Sequence, residues 1–311
     1  MSLRLALLGT GSAVPDPMRG NPSQAVVVDG EVLLFDCGER TTVNLVRAGI
    51  NPLDVDRLFF THLHWDHIAD FGYFMVSTWN CGRRRELPIA GPAGTRAMVD
   101  ASIFGVHATD VMYVRNYVRA LPPQVTDRPP ESPSFSVEEI DVGWRLDTPR
   151  WRVLTGAVEH HQRVGTPSVA YRVECEHGTI ALTGDTGASE DVVELARGAD
   201  VLVHDCAFTE EIIEARGMWS HSGPVIAGKA AQAAGAGTLV LTHLGPYTSP
   251  RASVEMAAMY YGGTYDGSIW ATIVARAQAE FDGQVILGRD ALVLDVTGGC
   301  VTIAADEEVP R

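Results

Sequence analysis

The chain is poor in the features that mark a disulfide-stapled or membrane-spanning protein. Its five cysteines, Cys37, Cys81, Cys175, Cys206 and Cys300, form no CxxC pair and no dense framework in 311 residues. That spacing excludes a disulfide scaffold and fits reduced thiols in a cytoplasm. No stretch approaches the ~20 consecutive apolar residues of a membrane span, so no membrane association is expected. The run Leu3–Leu8 is too short for the apolar part of a signal peptide. Positive charge is scarce too: 24 Lys and Arg face 39 Asp and Glu, a net charge of −15 with pI ≈ 5.0. Phosphate backbones are bound by clustered Lys and Arg. The one dense basic run, Arg83-Arg84-Arg85, is followed at once by Glu86, which argues against a large nucleic-acid footprint.

What the chain does have is apolar content, 46%, enough to bury a large core. Strand-like runs alternate with helix-like segments at 43–48, 93–102, 190–197 and 225–234, which reads as an α/β fold. The densest chemistry lies in Thr61-His62-Leu63-His64-Trp65-Asp66-His67. Neutral imidazoles bind borderline-soft divalent metals, and a carboxylate adds a hard oxygen ligand. The run 55–60 reads as a strand entering this cluster, and its alternation sends His62 and His64 to the same side. The chain must then turn for Asp66 and His67 to reach a second position, so one stretch offers ligands to two adjacent metal sites. Partners recur just past later strand-like runs: His160-His161 after 151–158, Asp185 after 179–182 and His243 after 238–241. Loops carried on a rigid sheet are the usual way to bring such ligands together.

His62-Leu-His64-Trp-Asp66-His67, His160, Asp185 and His243 together resemble the five motifs of the metallo-β-lactamase superfamily. The resemblance runs from about Leu5 to the C-terminus. Leu8-Gly9-Thr10-Gly11-Ser12-Ala13, Phe35-Asp36-Cys37-Gly38-Glu39 and Pro167-Ser168-Val169-Ala170-Tyr171-Arg172 narrow it to the ribonuclease Z-like branch, which includes phosphodiesterases and arylsulfatase-like enzymes. Trp219-Ser220-His221-Ser222 is similar to an additional His motif of that branch. The resemblance implies a four-layer αβ/βα sandwich. It implies that His62, His64 and His160 hold one ion, that Asp66, His67 and His243 hold a second, and that Asp185 bridges them. Two Zn2+ are the expected cofactors, although imidazole and carboxylate donors accept Mn2+ or Fe2+ as well. The implied activity is ester hydrolysis by a zinc-bound hydroxide. Asp66 and His221 are the expected catalytic residues, His221 as proton donor to the leaving group.

Some choices stay open. His160 and His161 are adjacent, so only one faces the metals, and placement relative to Tyr171-Arg172 favours His160. His221 also reads as a neighbour of the cap of helix 225–234, with Pro224 near its first turn. Asp36 could orient a metal-bound imidazole or simply occupy a turn before Gly38. Gly9-Thr10-Gly11-Ser12 lacks the lysine of a phosphate-binding loop and reads as a tight turn beside the cavity. His204 reads as a neighbour of the metal ligands, and His107 and His177 as surface residues.

Ligand motifs come from both halves, so a single domain over 1–311 is expected, with additions near 103–144 and 247–281. The first contains a Pro-rich loop, 127–134. The second carries Met256, Met259, Tyr260, Tyr261, Tyr265 and Trp270, which could line the pocket, pack in the core or form the surface of an expected homodimer. Members of the branch that process tRNA carry a long basic arm between the Tyr-Arg segment and the Gly-Asp-Thr motif. Here only Val173 to Thr183 lies between them. The leading expectation is therefore a small-molecule substrate, a phosphodiester or sulfate ester. The alternatives are a lactone, thioester or carboxylic ester, a ribonuclease Z-type endonuclease, or a metal-binding regulatory protein without activity.

Overall fold

The computed structural model describes residues 2–126, 128, 130–160, 165–248, 255–256 and 267–304. Its strands are β1 (Leu3–Gly9), β2 (Ser23–Val28), β3 (Glu31–Phe35), β4 (Val55–Phe59), β5 (Leu87–Gly91), β6 (Phe135–Glu139), β7 (Arg145–Asp147), β8 (Trp151–Gly156), β9 (Ala170–Cys175), β10 (Gly178–Leu182), β11 (Val201–Asp205), β12 (Thr238–Thr242), β13 (Gln284–Leu287), β14 (Leu292–Thr297) and β15 (Cys300–Ile303). Among the described residues they form two sheets, ordered β15-β14-β1-β2-β3-β4-β5-β6 and β13-β12-β11-β10-β9-β8-β7. The helices are α1 (Thr41–Arg47), α2 (Trp65–Ile68), α3 (Phe71–Asn80), α4 (Thr95–Asp100), α5 (Ala108–Ala120), α6 (Glu190–Leu195), α7 (Glu210–Arg216), α8 (Pro224–Ala234) and α9 (Ser268–Glu280).

Strands buried on both faces read as continuous apolar runs, and their period of two divides them between layers. Leu3, Leu5 and Leu7 of β1 join Val26, Leu33 and Phe35 in the core between the sheets, where Tyr171, Ile180, Val201 and Val203 meet them from the other sheet. The alternate residues Ala6, Leu8, Ala25 and Leu34 face outward against Leu45 of α1 and Phe71, Phe74 and Met75 of α3. On the far side, Leu202, Leu239 and Leu241 pack on Ala227 and Ala231 of α8 and on Ile273 and Ala277 of α9. Helix, sheet, sheet and helix thus stack in the four layers that the sequence implied.

Hydrogen bonds lock the sheets together at one end. Tyr171 donates its hydroxyl to the Phe60 carbonyl at 2.7 Å, and Val169 N–H donates to Thr61 O at 2.9 Å. Leu244 N–H donates to Thr10 O at 2.8 Å. Gly9 has to be glycine there, because a Cβ at this position would lie 1.7 Å from Asn21 O. The Gly9–Ser12 turn therefore knits the first sheet to the loop after β12.

Two sequence expectations change in detail. Strand β4 stops at Phe59, so the histidine cluster lies on irregular chain and on α2. Region 103–144 contributes more than loop: it carries α5, and its β6 pairs in parallel with β5 at the edge of the first sheet. A π-helical segment, Ala101–Val106, leads into α5.

Candidate metal centre

Strands β3 to β6 are mutually parallel, as are β10 to β13, so their C-terminal ends gather at one rim of each sheet. Open α/β sheets bind ligands at such ends. Thr61–His67 follows β4, Asp185 follows β10, Asp205 ends β11 and His243 follows β12. His243 sits at φ 57, left-handed backbone that a non-glycine residue adopts at a cost of about 1–3 kcal/mol.

The side chains gather in two clusters, His62, His64, His160 and Asp185, then Asp66, His67, Asp185 and His243. Asp185 belongs to both. Its Oδ2 lies 3.7 Å from His62 Nε2 and 3.8 Å from His160 Nε2. Its Oδ1 lies 3.2 Å from His67 Nε2 and 3.2 Å from His243 Nε2. His64 Nδ1 is 3.0 Å from His62 Nε2 and 3.3 Å from His160 Nε2. Asp66 Oδ2 is 3.3 Å from His243 Nε2 and 3.6 Å from His67 Nε2. His161 lies outside the described residues.

These spacings fit metal ions. Tetrahedral ligands at 2.0–2.1 Å from an ion stand roughly 3.3–3.4 Å apart. Three ring nitrogens converging in the first cluster need a cation or a shared proton between their lone pairs. In the second, His67 Nε2 and Asp185 Oδ1 are both buried without a hydrogen-bond partner. A buried polar atom left so is costly, and a metal ion held by the cluster would complete it.

A supporting shell aims the ligands. Asp36, itself left-handed at φ 58, accepts from His67 Nδ1–H at 2.8 Å and from the Thr61 amide and hydroxyl, each at 2.8 Å. Of its two readings, the orienting one describes this geometry, and it leaves His67 Nε2 for the cluster. His160 Nδ1–H donates to Ser220 O at 2.8 Å, which turns its Nε2 inward. Sequence reasoning missed Asp205. Its Oδ2 lies 3.0 Å from His221 Nδ1, its Oδ1 accepts from the Ala207 amide, and it is fully buried. The signal was available, since Asp205 ends a strand beside those bearing Asp185 and His243. His221 is partly exposed, its ring 5.1 Å from His160 and 5.3 Å from His243.

The remaining histidines lie apart. His204 is buried on β11 with Nδ1 bonded to Asp205 O, and burial lowers its pKa. His107 pairs with Asp110 and His177 with Asp29. In the second expected addition, Tyr247 donates to Ala207 O and packs against Trp270, while Arg19 stacks over the Trp270 ring. Met259, Tyr260, Tyr261 and Tyr265 lie outside the described residues.

Charge among the clustered side chains is divided unevenly. Burial, then the field of His67, pushes His62 well below its usual pKa, so it is a neutral, ready donor. Burial also opposes a charge on His243, but Asp185, Asp66 and Asp205 outweigh it and raise His243 to about 9. His67 is likewise raised, Asp185, Asp36 and Asp66 overcoming its burial. Burial works against the Asp185 carboxylate, yet His243 and His67 hold it well below the ordinary range. The carboxylates thus favour a proton on His67 and on His243, positive charge of the kind a metal ion would bring to the same place. Loading chelator-treated protein with Zn2+ at pH 7 in weak buffer is expected to release protons, read with an indicator dye. Because the folded pKa of His243 is raised, its proton is present at pH 7 and lost as pH climbs through about 9, so the yield should fall over that range. A yield flat from pH 7 to 9 would count against this charge arrangement.

Comparison with known proteins gives the same picture. The profile described as "Metallo-beta-lactamase superfamily" matches residues 18–243. Ribonuclease Z of Mycobacterium bovis (strain BCG / Pasteur 1173P2) is 30% identical over 299 residues, covering 93% of this chain and 96% of the relative. Among solved structures, the metallo-beta-lactamase fold protein YhfI from Bacillus subtilis superposes with TM-score 0.68 at 18% identity, covering 94% of this chain and 98% of that one. The short form of human tRNase Z does so with TM-score 0.66 at 21% identity, covering 94% and 99%. No helix among the described residues is long and apolar enough to cross a membrane. With its motifs, its profile match and these full-length relatives, the chain belongs to the metallo-β-lactamase superfamily, in the ribonuclease Z-like branch, and is a metal-dependent hydrolase.

Proposed function

We propose that this hydrolase cleaves phosphodiesters, with RNA of the ribonuclease Z type as its first candidate substrate. The observation that carries the reading is Asp185, which presents one oxygen to each of two ligand clusters. Two cations held there would supply an activated water as nucleophile and Lewis-acid charge for an in-line displacement at phosphorus. The residues to hold them are His62, His64 and His160 on one side and Asp66, His67 and His243 on the other, with Asp185 shared. Zinc is the ion that this donor set suits first. His221, anchored through Nδ1 by Asp205, keeps Nε2 for a proton directed at the leaving oxygen, and Asp66 shapes the same pocket from the opposite cluster. We read residues 1–311 as one domain, since both sheets supply ligands.

Relatives named ribonuclease Z that match 93–96% of the chain favour RNA. A second reading, a small phosphodiester or sulfate ester, has its own observation. Strands β9 and β10 join through Glu176 and His177 alone, with Cys175 paired to Gly178, so the connection expected to bear a tRNA-binding arm is a two-residue hairpin. Metal-loaded protein should be assayed in parallel on a precursor tRNA, a bis-aryl phosphodiester, an aryl sulfate and a lactone. Cleavage of the precursor tRNA at its 3′ side is expected. Turnover of the small esters with the tRNA left intact would replace the first reading by the second, and lactone turnover alone would overturn both.

A further inference from the structure

Trp65 opens α2 between two proposed ligands, His64 and Asp66. Asp66 and His67 are buried, yet Trp65 is 66% exposed. Single exposed apolar residues are ordinary. This one is not isolated. Its ring lies 6.0 Å from the His64 ring at 39°, so the indole stands one residue out from the first ligand cluster. The chain between α2 and α3 also stays close to helical, Ala69 at φ −58, ψ −35 and Asp70 at φ −93, ψ −5. Residues four apart therefore share a side. Trp65, Ala69 and Tyr73 are all exposed, Tyr73 at 57%, while Phe71, Phe74 and Met75 turn into the core. The result is an aromatic stripe that begins at the metal centre and leads away from it over solvent.

Resting on the phosphodiesterase reading, we propose that this stripe is the stacking platform for the nucleobase next to the scissile phosphate, with Trp65 as the residue that sets the preference. Flat aromatic side chains hold bases through their π-faces, and the interaction needs no net positive charge. That matches a chain with net charge −15, whose composition argues against a broad basic groove. A phosphate held at the clusters leaves its nucleoside beside His64, where the indole face lies open. The other use of such a stripe is self-association, and the test separates the two.

Wild type, Trp65→Ala, Trp65→Phe and Tyr73→Ala would be compared at matched metal content. The substrates are thymidine 5′-(p-nitrophenyl) phosphate and methyl p-nitrophenyl phosphate, which share a leaving group and differ in the other ester, a nucleoside in the first and a methyl group in the second. Base stacking on an aromatic side chain predicts that Trp65→Ala lowers kcat/KM for the nucleoside diester roughly tenfold further than for the methyl diester, through KM. Trp65→Phe should keep most of the preference. Anisotropy of a fluorescein-labelled oligoadenylate gives a second readout that needs no turnover, with binding roughly tenfold weaker in Trp65→Ala. An equal fall on both diesters, an unchanged preference, or a Trp65-dependent change of molecular mass in light scattering would overturn the platform. If wild type cleaves neither these diesters nor precursor tRNA, the phosphodiesterase reading fails. The anisotropy then decides the platform alone, and binding indifferent to Trp65 ends it.

Discussion

Asp185→Ala is expected to leave at most one metal ion bound per chain and to cut kcat/KM by on the order of 10³-fold, the loss of several kcal/mol of charge stabilisation. The physical cause is the position of the carboxylate. Oδ2 faces His62 and His160, and Oδ1 faces His67 and His243, at 3.2–3.8 Å. Without it, two dications would face each other with no shared anion between them, and Asp66 serves only one side. The variant also removes the leading favourable field that raises His67 and His243, so less proton should be released when metal is added. Metal content by elemental analysis after gel filtration checks the first statement. Two ions retained per chain would remove Asp185 from the bridging position.

The second large effect belongs to His221 and its anchor. His221→Ala is expected to lower kcat by ~10²–10⁴-fold on a phosphodiester with an alkoxide leaving group, such as RNA, and far less on a p-nitrophenyl ester. A poor leaving group needs a proton as the bond breaks, and a good one does not. Asp205→Asn keeps the size of the anchor but offers an amide N–H₂ or a neutral oxygen in place of a carboxylate oxygen 3.0 Å from Nδ1. It should show the same dependence on leaving group, more weakly, because Asp205 acts through His221. Asp205 also accepts from the amides of Thr186, Ala207 and Ser222, so the melting temperature of each variant belongs beside its kinetics. Equal losses on both kinds of substrate would assign His221 to binding or structure instead.

How far the site could be read in advance follows from how local each determinant is. Residues 61–67 mark a candidate metal-binding stretch by density alone, and the later candidate ligands each follow an apolar run that does form a strand. The choice between His160 and His161 rested on the Tyr171-Arg172 segment, and the structure places the His160 ring in the first cluster. The role of Asp36 stayed evenly open in the sequence. Only the contact with His67, 31 positions away, shows what that carboxylate does. Asp205 is visible in the sequence as an acid at a strand end, but its pairing with His221, 16 positions on, exists only once the chain folds back over it. Region 103–144 misled more broadly. Its Pro-rich middle reads as loop, but β6 just beyond it is recruited by the edge of β5, and pairing across 48 positions leaves no local trace.

Nucleic-acid recognition is likewise only partly legible in composition. Net charge and the short β9–β10 connection are properties of the sequence, and both are real. They speak against a basic arm and a broad phosphate footprint, and leave open recognition by stacking, which depends on which aromatic faces reach solvent. The sequence by itself determined the α/β class, the metal-binding residue types and their order, since periodicity and donor chemistry act over a few residues. Only the tertiary structure decided that Asp185 faces both clusters, that Asp36 and Asp205 aim His67 and His221, and that Trp65 stays in solvent. Those facts depend on where two sheets bring their strand ends together, and burial and distance across that junction exist only once the layers have packed.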